Sequence, residues 1–317
     1  MKKELTFIVN RSEITAGTRG ASLGPDAIFA AARTKKSLLF GAYPIIELPN
    51  YNNLLDQPVK HPYAKRIDGL VKVFNDVSNQ VSETLQAGKF PFVLAGDHGS
   101  AGGTIAGIKK AFPDKRLGVV WIDAHGDLHT PFTTPSGNMH GMPLSTALNE
   151  DNLPCKINEV EVESIELWNQ LKNTGVAGPK LEAKDLVFIA VRDTEPEENA
   201  LMERLNIKNY TVAEVNSEGT EAVANSVLHR LKDCDMIYIS FDVDSMDPKA
   251  TSYGTGTPVK NGLMPKQARE LLTHLTLSSK TVCVEFVEVN PCLDEKLNRM
   301  GEVAFELIES LVTTMNK

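Results

Sequence analysis

Short runs of apolar residues recur along this chain, and they constrain its fold more than any other feature. They cover residues 5–9, 90–94, 117–122, 186–191, 236–241 and 281–287. Each run is continuous rather than alternating, so each predicts a strand buried on both faces. Longer segments with a helical period lie between most of them, at residues 64–87, 101–111, 197–205, 221–231, 265–275 and 301–315. Strands of this kind alternating with helices predict an α/β protein. Its three layers would be helices, a mostly parallel sheet, and helices again. No repeat, low-complexity tract or Pro/Gly-rich linker divides the 317 residues, so residues 1–317 read as one domain. The stretch 149–184 is polar and irregular, and a surface excursion is expected there.

Charge narrows the partners. A formal net charge of −8 disfavours a nucleic-acid partner, because phosphate binding needs a basic surface. It leaves room for a small cationic substrate, which an acidic protein attracts weakly. No apolar stretch approaches the roughly 18 residues of a membrane span, and the first residues lack a signal-peptide pattern. Cys155, Cys234, Cys283 and Cys292 have no zinc-like spacing. They read as thiols in a reducing compartment, so a cytoplasmic location is expected.

The chemistry-bearing residues share one placement. Asp97-His98 follows the second run, and Asp123, His125 and Asp127 follow the third. Arg192-Asp193 follows the fourth, Asp242 and Asp244 the fifth, and Glu288 the sixth. In open parallel sheets, ligands bind outside the carboxyl ends of the strands. Five polar clusters at five strand ends would therefore converge on one edge.

Asp123-Ala-His125-Gly-Asp127 sets its polar groups at i, i+2 and i+4, and Asp242-Val-Asp244 repeats the i, i+2 spacing. In an extended segment, alternate side chains share a face. Either motif alone would suit an ordinary loop. Both together, with His98 after a further strand, would crowd carboxylates that repel one another without a cation. A pair of divalent metals removes that penalty. Carboxylates outnumber imidazoles and no thiolate is present, which favours a hard octahedral metal such as Mn²⁺ over structural zinc. Two such ions about 3.5–4 Å apart can share one water as a hydroxide nucleophile. Asp247, which precedes Pro248, reads as a turn residue.

These residues carry a specific likeness. Gly96-Asp97-His98, Trp121-Ile122-Asp123-Ala124-His125-Gly126-Asp127 and Ser240-Phe241-Asp242-Val243-Asp244 resemble the metal motifs of the ureohydrolase family. Within it, the loop from Thr134 to Pro143, with Ser136-Gly137-Asn138-Met139-His140-Gly141, is similar to that of arginases, especially bacterial ones. So are Gly256-Thr257-Pro258 and Val287-Glu288-Val289-Asn290-Pro291. Agmatinases and formimidoylglutamases share the metal motifs but usually lack that loop.

The resemblance implies an arginase-like fold and two Mn²⁺ per chain. It implies conversion of L-arginine and water to L-ornithine and urea through a metal-bridging hydroxide. His98, Asp123, Asp127 and Asp242 would hold one ion. Asp123, His125, Asp242 and Asp244 would hold the other, with Asp123 and Asp242 as bridges. Glu288 would meet the guanidinium beside the metals, with Thr257 near it. His140 would carry a proton to the leaving amine. Thr134, Ser136 and Asn138 would bind an α-carboxylate, and Asp193, Glu195 and Glu198 an α-ammonium. A homo-oligomer, a trimer or hexamer, is also implied.

The chain departs from the family pattern at the amino-acid end of the substrate. His129 stands where arginases usually have an asparagine that helps bind the α-carboxylate. Glu195 stands where aspartate is common. Two alternatives therefore stay open: a hydrolase of another guanidino compound, such as agmatine or 4-guanidinobutyrate, and a non-catalytic protein that binds a guanidino compound or metal.

Overall fold

The structure is a computed structural model, and it describes residues 4–316. Eight strands form one sheet: β1 (Leu5–Asn10), β2 (Ile45–Glu47), β3 (Phe90–Ala95), β4 (Leu117–Ile122), β5 (Leu186–Ile189), β6 (Lys208–Tyr210), β7 (Met236–Asp242) and β8 (Thr281–Val287). Their order is β2-β1-β3-β8-β7-β4-β5-β6, and every pairing among the described residues is parallel. The expected α/β/α layering is what the chain builds.

Ten helices cover the two faces: α1 (Gly24–Thr34), α2 (Ile67–Gln86), α3 (Ala101–Ala111), α4 (Pro143–Leu148), α5 (Val162–Lys172), α6 (Pro196–Arg204), α7 (Val212–Glu218), α8 (Thr220–Arg230), α9 (Pro265–Thr276) and α10 (Arg299–Met315). Successive strand side chains serve opposite cores. Phe7, Val9, Val120 and Ile122 pack with α1, α8, α9 and α10, while Ile8, Val119 and Trp121 pack with α2, α3 and α5. This period of two puts an apolar residue at nearly every position of β1, β3 and β4.

The helix after His98 sits unusually close to its neighbour. A Cβ on Gly103 would lie 3.0 Å from the Phe74 backbone, and one on Gly107 would lie 2.7 Å from the Ser78 carbonyl. Glycine at these positions lets α3 press onto α2. That contact anchors the helix that carries His98 at its head.

The stretch 149–184 corrects the expectation of a surface excursion. It contains α5, which packs on α2 and α4. Trp168 is fully buried, and its indole N–H donates to Asp151 at 2.8 Å. The apolar stripe of α5 is narrow, at Ile165, Trp168 and Leu171, so its polar outer face dominates the composition. Other elements outside the sequence reading are α1, α4, α7 and the three-residue edge strands β2 and β6. Among the described residues, no helix is long and apolar enough to cross a membrane. All four cysteines are free.

Candidate metal centre

The carboxyl ends of β3, β4, β5 and β7 open on a cavity of about 350 Å³. Its lining includes His98, Asp123, His125, Asp127, Asp242 and Asp244 at the floor. His129, Thr134, Ser136, Asn138, His140, Asp193, Glu195, Glu198 and Thr257 complete the walls. Of the residues expected to hold metal, substrate or a proton, Glu288 alone is off the lining. It is buried next to the cavity, after β8.

Backbone hydrogen bonds across the sheet set the floor. The Asp123 amide donates to the Ile189 carbonyl of β5 at 3.1 Å, and the Arg192 and Asp193 amides donate to Ala124 at 2.8 and 2.9 Å. The Asp244 amide donates to Asp242 Oδ1 at 2.8 Å, and the His125 amide to Asp123 Oδ1 at 2.8 Å. Two acidic residues adopt left-handed backbone, Asp127 with φ 50° and Glu288 with φ 65°. Such conformations cost non-glycine residues free energy and cluster at functional sites. Glu288 is locked there by its N–H to the Gly96 carbonyl at 3.1 Å, while its Oε1 accepts the His98 amide at 2.8 Å.

Two donor groups result. His98 Nδ1 lies 3.0 Å from Asp123 Oδ2, 3.1 Å from Asp127 Oδ2 and 3.3 Å from Asp242 Oδ2. His125 Nδ1 lies 3.0 Å from Asp244 Oδ2 and 3.4 Å from Asp123 Oδ1. Asp123 thus belongs to both groups, one oxygen in each. Both His98 Nδ1 and Asp123 Oδ2 are fully buried without a hydrogen-bond partner. The other ring nitrogen, His98 Nε2, is 2.7 Å from Ser240 Oγ, which leaves Nδ1 as the lone-pair nitrogen. Buried donor atoms that converge without a proton aligned between them are the donor set of a cation. The residues therefore fit a divalent metal.

The protonation balance shows the same crowding. Burial pushes Asp127 up to about 6, helped by the Asp123 charge. Burial and the charges of Asp244 and Asp123 hold Asp242 well above the carboxylate range. Burial would also raise Asp123, but the adjoining imidazoles of His125 and His98 outweigh it and hold that carboxyl well below. Burial opposes charging of His98 and His125, yet their carboxylate neighbours lift both well above the imidazole range. Burial raises Glu288 to about 8, with Asp97 adding to the effect. His140 goes the other way. Burial, with the cations of His125 and His98, lowers it to about 4.

The upper walls differ in character. Thr134 Oγ1 accepts the Ser136 and Gly137 amides at 3.3 and 2.9 Å, so it shapes the loop as well as lining the cavity. Asn138 Oδ1 faces Lys65 Nζ at 3.2 Å. Thr257 Oγ1 donates to Asp244 Oδ2 at 3.1 Å. Asp247 accepts the Lys249 and Asn261 amides, as its turn role predicts.

Several contributors escaped the sequence reading. Ser240 holds His98, and the Trp121 ring stacks on the His98 ring at 4.0 Å and 5°. Thr15 donates its amide to Asp97 Oδ2 at 2.9 Å and accepts the His140 amide at 3.3 Å. Glu285, buried in β8, accepts from the Tyr238 hydroxyl at 2.5 Å. Ser240 had a usable signal: it lies two residues before Asp242 on the same strand face.

The comparisons agree along nearly the whole chain. A model of the arginase family matches residues 7–313. An arginase of Brevibacillus brevis is 34% identical over 318 residues, which covers 98% of each chain. The crystal structure of an arginase from Bacillus cereus superposes with a TM-score of 0.81 at 30% identity, covering 98% of each chain. The agmatine ureohydrolase of Thermoplasma volcanium, at 19% identity, shares the fold with a TM-score of 0.69 over 99% of this chain and 90% of that one. Family membership and the donor clusters together indicate a divalent metal cofactor. Likeness in sequence and in sheet architecture leads to one conclusion: the chain belongs to the arginase family and is an enzyme of the ureohydrolase kind.

Proposed function

We propose that this enzyme hydrolyses L-arginine to L-ornithine and urea with two Mn²⁺ ions per chain. The observation that carries the reading is the pair of donor groups sharing Asp123 at the floor of one cavity. His98, Asp123, Asp127 and Asp242 would hold one ion, and Asp123, His125, Asp242 and Asp244 the other. When bound, such a pair would lower the pKa of a water and so supply a hydroxide nucleophile at neutral pH.

The chain's own groups do the rest. Glu288 Oε2 accepts no hydrogen bond from the described residues, so it is free for a guanidinium. A guanidinium stays charged and forks toward carboxylates. Its charge would draw the Glu288 pKa back down and keep that side chain ionised. Asp127, at the floor, turns Oδ2 to the His98 group, which leaves Oδ1 to accept a proton from the nucleophile. His140 lines the cavity with a ring held neutral at pH 7. A neutral imidazole nitrogen can take a proton from solvent and, once charged, release it readily to the leaving amine. Thr134, Ser136 and Asn138 line the same cavity and would bind a carboxylate.

Urea release from L-arginine, agmatine and 4-guanidinobutyrate, each with added Mn²⁺, tests the reading. Arginine should be cleaved well and agmatine poorly. Preference for agmatine, which lacks the carboxylate, would sink it. We also propose a cytoplasmic homo-oligomer, a trimer or hexamer. The free thiols support the compartment, and light scattering on the purified protein tests the assembly.

A further inference from the structure

Asp193, Glu195 and Glu198 line one wall of the cavity, and an amino-acid substrate would offer its ammonium to them. Both oxygens of Glu198 and one of Glu195 already have partners. Glu198 is almost fully buried: its Oε1 accepts the Leu128 amide at 3.0 Å and its Oε2 accepts the Glu195 amide at 3.2 Å. It ties the loop after β4 to the head of α6. Glu195 Oε2 lies 3.1 Å from His129 Nε2, which is also 3.7 Å from Glu198 Oε2. The other ring nitrogen, Nδ1, faces the Thr133 hydroxyl at 3.2 Å. That hydroxyl can donate to Nδ1, so Nε2 carries the hydrogen and donates to Glu195. Asp193 is mostly exposed, with its nearest basic atom, His125 Nε2, 3.8 Å away.

The imidazole N–H therefore takes up the Glu195 oxygen that an ammonium could otherwise meet. We infer that His129 is a specificity-determining residue: it engages Glu195 in place of a substrate α-ammonium, so the site takes ω-guanidino carboxylic acids with or without an α-amino group. This rests on the hydrolytic reading above. The free oxygen of Glu195 is on a half-exposed side chain. Contacts at such groups change affinity by only about fivefold or less.

The test compares L-arginine with 5-guanidinopentanoate, which has the same chain without the α-amino group, on Mn²⁺-loaded enzyme. Wild type should show kcat/KM values within about fivefold of each other. His129→Asn should favour arginine by a further factor of about ten, through KM rather than kcat. A wild-type preference for arginine above about a hundredfold, or an unmoved ratio in the variant, would overturn the inference. Should His129→Asn not fold, Glu195→Gln serves: it should lower the arginine preference by less than about threefold, and a loss of about tenfold refutes. Calorimetric binding of L-ornithine against 5-aminopentanoate gives a readout without turnover. Near-equal affinities in wild type support the inference, and a large excess for L-ornithine counts against it. Urea from neither substrate would overturn the hydrolytic reading, and the binding comparison would still decide the role of His129.

Discussion

The imidazole Nε2 of His98, after β3, lies 2.7 Å from the hydroxyl of Ser240 in β7, on the far side of β8 in the sheet. This contact fixes which nitrogen of His98 turns toward Asp123, Asp127 and Asp242. Ser240→Ala should leave the fold intact and weaken metal binding about 10–100-fold. Calorimetric titration with Mn²⁺ measures it, and an unchanged affinity would show that Trp121 stacking alone orients the ring.

Asp123 contributes one oxygen to each donor group, whereas Asp127 contributes to one. Asp123→Asn should therefore deplete both ions, and Asp127→Asn mainly the one near His98. Metal content by plasma mass spectrometry distinguishes them. Equal losses in the two variants would contradict the shared role of Asp123.

His140 reaches the cavity but no donor group. His140→Ala should lower kcat about 10²–10⁴-fold with metal content unchanged. A fall in KM-limited rate alone, with kcat preserved, would assign the residue to substrate binding instead.

Glu285 is buried in β8, and burial raises its pKa above the ordinary value of 4.5 against the opposing hydrogen bond from Tyr238. The native state thus holds the proton more tightly than the unfolded chain. Stability from this group is intact below the unfolded pKa and falls as pH rises toward the folded one. An amide carries no such penalty and can still accept from Tyr238. Glu285→Gln should raise Tm at pH 8 by about 2 °C and shift it little at pH 4.5. Thermal melts at both values check the sign, and a variant less stable at pH 8 would refute the assignment.

Trp168 sits in the segment that composition marks as peripheral, yet its side chain is fully buried. Trp168→Ala should cost about 3–5 kcal/mol of folding free energy. Urea denaturation measures this, and a loss below about 1 kcal/mol would restore the peripheral reading.

Burial on both faces made β3, β4, β7 and β8 legible, because neither face needs polar residues. Edge strands β2 and β6 are only three residues long and partly exposed, so they leave no apolar run. The helix α5 hides its narrow stripe among charges. At the site, Asp123, His125, Asp242 and Asp244 stood out because charged groups directly after core strands demand a reason. Ser240 and Thr15 did not, since small polar residues suit many positions. His129 was visible as a departure, but its partner Glu195 lies 66 positions away. Only the fold brings that pair together.

The left-handed backbone at Asp127 and Glu288 has a practical consequence for anyone evolving this enzyme toward heat resistance. Glycine at either position would relieve about 1 kcal/mol of conformational strain. It would also delete a carboxylate from the reaction chamber. Screens that reward melting temperature alone would thus drift toward robust but inert variants at these two codons, while screens for turnover would keep the strained acids.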